Sequence, residues 1–507
     1  MNVLKKQSRT KKSLYNAIAN SIALLVTTIF QLVSVRTVLL YLGSEYNGVN
    51  GIINSFLSVL MLFESGFTIA TLVMIYEPYE QEDYQLLNRI LSKTYLVFRK
   101  IGILMFLVGM ILATVYCCFI KSDIQYIVLL TLFFFSILTT SFNFFYVYKY
   151  RLLFQVSQNE YILHLLSILY AIIGQGGMIL IIYYTQDIIY ARGFFTIITL
   201  LYGFLISLFA KKLFPLISFG EECSDIQIKG TNDLLAVKVA GMLSNICTVF
   251  FLATFVGATT ASVYAVYESV IRVIYSYSFV FLSAPKNSLG QIIQTDRSRL
   301  KDVLIEFEYW VSVILTILFS ITFILIIPFV KLYTSGVTDV NYIQPSLGAL
   351  LILISVTEIL RIPSGMCIEM SGLFMLERQY MIFATIILLV LSVLGGLIWG
   401  LWGLLIAKFI FNIILGCIEV GYTHFRIVNK TFCLFAKNVV PNMLFAFTVS
   451  CIGYKLVEPI ITSWQAFVAI GIIVTASIIV LTIVFNWIYN PKMVLTVIKR
   501  IKPIVKK

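Results

Sequence analysis

Apolar runs long enough to cross a bilayer as helices recur along the whole chain, separated by short polar or glycine-bearing turns. They lie at roughly 14–42, 47–75, 97–119, 124–150, 160–184 and 188–210, and, past a polar stretch, at 234–256, 259–285, 309–332, 344–366, 379–398 and 402–424. Two more follow at 436–457 and 463–489. Each is near the ~20 residues that a membrane helix needs, so the pattern predicts an all-α polytopic membrane protein of about fourteen transmembrane helices. No long polar segment is left over for a soluble domain, and the basic start "KKQSRTKK" runs into an apolar segment with no small-residue cleavage site, so no cleavable signal peptide is expected.

The polar link "FGEECSDIQIKGTND" (Phe219–Asp233) divides the first six spans from the next six. The expected organisation is an N-terminal six-helix lobe over 1–218, a link over 219–233, a C-terminal six-helix lobe over 234–430, and two extra helices with a basic tail over 431–507. A short internal repeat supports the doubling. "YLGSEYNGV" (Tyr41–Val49) parallels "FVGATTASV" (Phe255–Val263), with six residues from glycine to valine in both. Forty residues after Gly43 comes Asp83, and 39 after Gly257 comes Asp296. Each aspartate opens an amphipathic stretch with apolar residues at the same offsets, Leu87, Ile90 and Leu91 against Leu300, Val303 and Leu304. That face is expected to lie along the membrane interface. Two six-helix halves keep the same orientation, so the repeat is parallel, an arrangement that in transporters places the substrate path between the lobes.

Composition agrees with the pattern. Of 507 residues, 60% are hydrophobic and 12% charged, about half the charge of a soluble domain. The formal net charge is +13, and its distribution gives the sidedness. With the N-terminus in the cytoplasm, 28 of the 37 Lys+Arg fall in cytoplasmic tails and loops, while Lys121, Arg192, Lys331 and Lys455 fall outside or near it. Both termini are then cytoplasmic. Positive-inside bias and contact with anionic lipid account for the net charge, and no nucleic-acid partner is required. The eight cysteines show no regular spacing and read as small apolar packers. The two histidines, His164 and His424, sit in different segments, so neither a metal centre nor histidine catalysis is expected.

Charges within the spans are the candidate chemistry, because each costs about 2.5–3.5 kcal/mol at mid-bilayer and should face protein or water. Arg36, Lys238, Arg272, Arg361 and Lys408 are the basic ones. Arg36 lies six residues before Leu42, and helical side chains lean toward the N-terminus, which aims it at the bilayer centre. A cavity role and simple snorkelling are both open to it. Glu64 lies near the middle of its span and can pair with Arg36 or take part in ion coupling. Glu268 and Arg272 are four apart, and Glu358 and Arg361 three apart, spacings that suit intrahelical pairs. Lys238 and Glu419 are near span ends, where solvation is easy, and Lys408 is ambiguous. The glycines of "IIGQGGMIL" read as close helix packing, and Pro285, Pro328 and Pro363 as bends.

Several stretches together resemble the bacterial polysaccharide repeat-unit flippases (Wzx-type) of the multidrug/oligosaccharidyl-lipid/polysaccharide exporter, or MOP, superfamily. They are "RTVLLYLGSEYNGVNGI", the Glu-x-Gly of "LMLFESGFTIA", the Tyr-x-Pro of "IYEPYEQED", "VFRKIG", and "SVYAVYESVIRVIYSYSFVFLSAPKNSLGQII". The resemblance implies two MATE/MurJ-like six-helix lobes around a central cavity with alternating access. It implies no enzyme activity and no cofactor. The cargo would be an undecaprenyl-pyrophosphate-linked oligosaccharide crossing the bacterial cytoplasmic membrane, with membrane lipids, a polysaccharide polymerase and other surface-assembly proteins as partners. Arg36, Arg272 and Lys238 become candidate contacts for the pyrophosphate. Glu64, Glu268, Glu358 and Arg361 become candidates for ion coupling or cavity ion pairs. Three other classes stay open, one of them a purely structural role in a surface-assembly complex, against which the repeat and the buried charges argue. A drug or cation antiporter of the same superfamily would want an acidic surplus in the cavity. A membrane-embedded polymerase or ligase would want a sizeable outer loop, whereas the longest here, about Thr334–Tyr342, holds one acid, Asp339.

Overall fold

The computed structural model describes residues 9–61, 67–223, 225–226, 232–283, 289, 292–293, 297–428 and 433–495. Every described regular element is a helix. In chain order they are α1 (Arg9–Tyr41), α2 (Ser44–Leu60), α3 (Phe67–Glu80), α4 (Tyr84–Cys117), α5 (Tyr126–Tyr146), α6 (Tyr148–Val156), α7 (Glu160–Thr185, with a π-turn at Ala171–Gln175) and α8 (Ile188–Leu213). Then come α9 (Asn232–Phe255), α10 (Ala258–Ser283), α11 (Arg297–Tyr333), α12 (Pro345–Leu360), α13 (Ile362–Met370), α14 (Phe374–Trp399), α15 (Leu401–Tyr422), α16 (Cys433–Val457) and α17 (Trp464–Tyr489). Among the described residues, eleven helices are long and apolar enough to cross a membrane. The chain is an all-α, multi-pass membrane protein.

Two compact units divide the chain, one comprising Met1–Ser262 with Gly336–Val340, the other Val263–Ser335 with Asn341–Lys507. The first unit thus runs past the polar link and takes in α9, further than the boundary at 218 expected from the spans.

In the first unit the doubled motif is a doubled turn. Gly43 ends α1 with φ +91 and Gly257 follows α9 with φ +128. At the first turn, Leu42 and Gly43 both donate to the Val38 carbonyl; at the second, Val256 and Gly257 both donate to the Leu252 carbonyl. The positive φ is a conformation that a Cβ disfavours, which is why both turns use glycine. Gly48 lets α2 approach the start of α10 so closely that a Cβ there would lie 1.8 Å from the Ala258 carbonyl oxygen. The neighbouring Asn47 donates to the Ser262 hydroxyl at 2.8 Å. Asp339, the acid of the expected outer loop, caps α2: the Ser44 amide and hydroxyl donate to its two carboxylate oxygens at 2.8 and 2.7 Å.

The amphipathic stretch after Asp83 requires a correction. Asp83 does cap a helix, accepting from the Leu86 amide at 2.9 Å, but the helix continues without a break through the span to Cys117. Leu87, Ile90 and Leu91 are buried in protein and do not lie along an interface. Asp296 is outside the described residues, and Leu300 and Leu304 of its stretch are likewise buried on α11, again one continuous helix. Protein contacts bury those faces, so neither stretch needs the interface.

The link is docked along the start of α4. Asn88 donates to the Leu216 carbonyl and to Glu221, the Ser218 amide donates to Asn88, and the Glu221 amide donates to Ser92. Arg89 forks onto both oxygens of Asp225 at 2.5 and 2.6 Å.

The second unit is built around α11. Of its most apolar stretch 61% is buried, against 17% for α16 and for α17, which therefore leave most of their surface for lipid. A buried polar ladder ties these three together, with Ser312 and Thr316 donating to the carbonyls of Asn438 and Asn442. Tyr309 donates to Asn486, Asn486 to Asn442, and Asn442 to Ser312. Gly395 and Gly403 bring α14 and α15 into backbone contact, where a Cβ on Gly403 would lie 2.0 Å from the Gly395 carbonyl oxygen.

Candidate functional site

The second unit gathers most of the charges that the sequence places within spans. Glu268 and Arg272 lie one turn apart on α10 and form the expected intrahelical ion pair. Arg272 is midway along the 26-residue helix, yet its side chain is 59% exposed. A guanidinium at that depth has to find water, protein or a ligand.

Arg361 departs from the expected pairing. Pro363 cannot donate the main-chain hydrogen bond that a continuous helix requires, so α12 ends at Leu360 and α13 begins at Ile362. Arg361 sits in the junction, and its Nη1 donates to both oxygens of Glu419 on α15, at 2.8 and 3.0 Å. Glu358 stays within electrostatic reach of Arg361 but is hydrogen-bonded to the Tyr275 hydroxyl. Glu419 is therefore no solvated end residue: its side chain is 4% exposed and its second partner is Tyr380. Gly365 makes the room, since a Cβ there would lie 3.2 Å from a Glu419 carboxylate oxygen.

Lys408, on α15, is buried within electrostatic reach of Glu358, Arg361, Arg272 and Glu268, with the Phe411 ring 5.6 Å from its ammonium. The cluster on α10, α12 and α15 thus sets Glu268, Glu358 and Glu419 against Arg272, Arg361 and Lys408. Acids and bases balance. Such a cluster avoids the cost of net charge in a low-dielectric setting while keeping one guanidinium, Arg272, open to its surroundings.

The remaining candidates are elsewhere. Arg36 is half-buried on α1, beside buried Ser34 and Thr37. Lys238 belongs to α9, but its side chain lies outside the described residues, as does Glu64 entirely.

Two arrangements were not anticipated from sequence. Glu308 of α11 and His424, in the π-turn Thr423–Ile427 that follows α15, are both buried, with the histidine Nε2 3.0 and 3.1 Å from the carboxylate oxygens. Ser364 donates to the same carboxylate at 3.2 Å. Nothing in the local sequence links positions 116 apart. Arg192, expected near the outer end of the span 188–210, donates to the Asn50 side chain on α2. A signal existed: Asp187 caps α8 by accepting from the Ile189 amide, which places Arg192 a full turn into the helix.

No protein-family model and no curated protein sequence matches this chain. Solved structures do. The lipid II flippase MurJ in an inward closed conformation covers 94% of this chain and 100% of its own, with TM-score 0.63 and 14% identity. An inward-facing multidrug resistance MATE family transporter of the MOP superfamily covers 85% and 98%, with TM-score 0.57 and 15% identity. A MOP superfamily transporter from Pyrococcus furiosus covers 84% and 98%, with TM-score 0.56 and 14% identity. The chain is a multi-pass membrane protein with the fold of the MOP-superfamily transporters.

Proposed function

We propose that this protein is a flippase that moves an undecaprenyl-pyrophosphate-linked oligosaccharide, the repeat unit of a surface polysaccharide, across the bacterial cytoplasmic membrane. Alternating access between the two sequence-defined halves, 1–218 and 234–430, would carry the headgroup, driven by an ion gradient. Both termini lie in the cytoplasm. A polymerase and other surface-assembly proteins would receive the product.

The observation that carries the reading is the likeness to a lipid II flippase over 94% of this chain, where the likeness to the multidrug transporter covers 85%. The balanced buried cluster adds support, since a cationic cargo calls for an acidic surplus. In this reading Arg272, open at mid-helix, and Arg36 meet the pyrophosphate, with Lys238 as a further contact. Arginine suits that task because its forked donors stay charged in a dry site and match phosphate oxygens. Glu64 is the ion-coupling candidate, while Glu268, Glu358 and Arg361 hold the cavity's ion pairs.

Reconstitution with a fluorescent lipid-linked oligosaccharide, scoring leaflet exchange, tests it. Exchange should be lost in Arg36→Ala and Arg272→Ala and partly retained in Arg36→Lys. Full exchange by a correctly inserted Arg36→Ala protein refutes the cavity role of Arg36. Transport of cationic dyes without glycolipid exchange assigns the protein to the antiporters instead.

A further inference from the structure

The first unit holds a small pocket of mixed polar and apolar lining that the transport reading does not use. It measures about 190 Å³ and lies, half open, between α2, α5 and α8, with the exposed Asn54 at its rim. Its polar lining is Asn54, Ser136, Thr139, Thr140, Arg192 and Thr196, and Leu57 with two aromatic rings, Phe135 and Phe195, completes the wall.

The hydrogen-bond inventory restricts what can occupy it. Each of the four hydroxyls already gives its single proton to a main-chain carbonyl one turn back: Ser136 to Leu132, Thr139 to Phe135, Thr140 to Ser136 and Thr196 to Arg192, and Thr139 shares its proton with the Thr196 oxygen at 3.2 Å. What they still offer is oxygen lone pairs, so an occupant must bring donors. Arg192 offers the opposite. Its Nη2 donates to the neutral Asn50 and no carboxylate pairs with it among the described residues, while its Nε is buried beyond the reach of a molecule in the pocket. A guanidinium that lines a pocket and has only a neutral partner favours an anionic acceptor, because charge-assisted hydrogen bonds are about twice as strong as neutral ones. Asn54 can give and accept. The volume is several times the ~30 Å³ share of one water, yet below the ~300 Å³ of typical ligand pockets, which is room for one substituted ring and no chain.

We infer that this cavity is a binding site for a single acidic sugar residue, its carboxylate on Arg192 and its hydroxyls donating to the threonine and serine oxygens. A bare inorganic anion satisfies Arg192 but leaves the hydroxyl oxygens without donors. A neutral sugar does the reverse. The aromatic walls suit the apolar face of a pyranose ring. The site rests on the geometry of the first unit alone and stands whether or not the chain flips a glycolipid.

The test is equilibrium binding to the purified full-length protein in detergent, with no flux involved. The probes are methyl β-glucuronide, methyl β-glucoside, sodium acetate and inorganic phosphate. The glucuronide should bind at least ~10-fold more tightly than any of the other three, and Arg192→Gln should weaken it ~10-fold or more, equivalent to about 1.4 kcal/mol. Thr140→Val, which keeps the shape and removes one acceptor, should weaken it with the melting temperature unchanged, so a folding defect is separable from a binding one. No glucuronide binding, equal binding by Arg192→Gln, or binding of acetate or phosphate as tight as the glucuronide would each overturn the proposal; the last means an anion site only.

Discussion

Arg361 and Glu419 show how one proline changes the partner of a charge. The pair is buried, so removing one member strands the other, at a cost of about 3–5 kcal/mol. Arg361→Met and Glu419→Leu should each lower the melting temperature in detergent markedly, and the double variant should recover most of the loss. If each single variant melts like the parent, the pair is not holding the fold. Asn486 is a second case, since it both accepts from Tyr309 and donates to Asn442. Asn486→Leu leaves both partners buried and unsatisfied and should cost about 2–3 kcal/mol, whereas Tyr309→Phe alone should cost less. Chemical denaturation of the purified protein separates the two.

Among the elements, the two glycine turns make the clearest comparison. Gly43→Ala and Gly257→Ala each force a Cβ into positive φ and should destabilise by similar amounts, about 1 kcal/mol. Gly48→Ala should cost more than either, because its Cβ would meet the Ala258 carbonyl and the α2–α10 approach would have to widen. Ranking the three melting temperatures checks this. The docked link has a pH signature. Hydrogen bonds from Arg89 hold the exposed Asp225 carboxyl below the usual carboxylate range. A depressed carboxyl stabilises the docked form above its free value near ~4 and loses that contribution as pH falls below it. Amide exchange at Ser218 and Glu221, corrected for intrinsic rate, should therefore be flat from neutral pH down to about 5 and rise below ~4. In Arg89→Ala that acid step should disappear.

For the molecule as a whole, the balanced cluster makes a statement about net charge. Lys408→Met leaves the second unit's cluster one negative charge in excess and should destabilise it, and a second change, Glu358→Gln, should restore part of the loss. Strict additivity in that double-mutant cycle would show that Lys408 and Glu358 do not interact.

Much of the architecture was legible because its cause is local. A membrane span is a run of apolar residues, and the described stretches of the expected spans are helical apart from a residue or two at some ends and the breaks at Val147 and Arg361, since hydrocarbon leaves the backbone no other open partner but itself. The doubled turn was legible too, because Gly43 and Gly257 answer a backbone demand made within a few residues. The Glu268–Arg272 pair was readable for the same reason, one turn of one helix. Partners on different helices were not. Glu419 for Arg361, His424 for Glu308 and the hydroxyl-lined cavity around Arg192 depend on which faces pack, and packing among apolar helices is decided by small residues and shape more than by any pattern along the chain. Sequence determined that this protein is a set of membrane helices with charges that need company; tertiary structure decided which charges keep company, because that choice is made between helices and not along them.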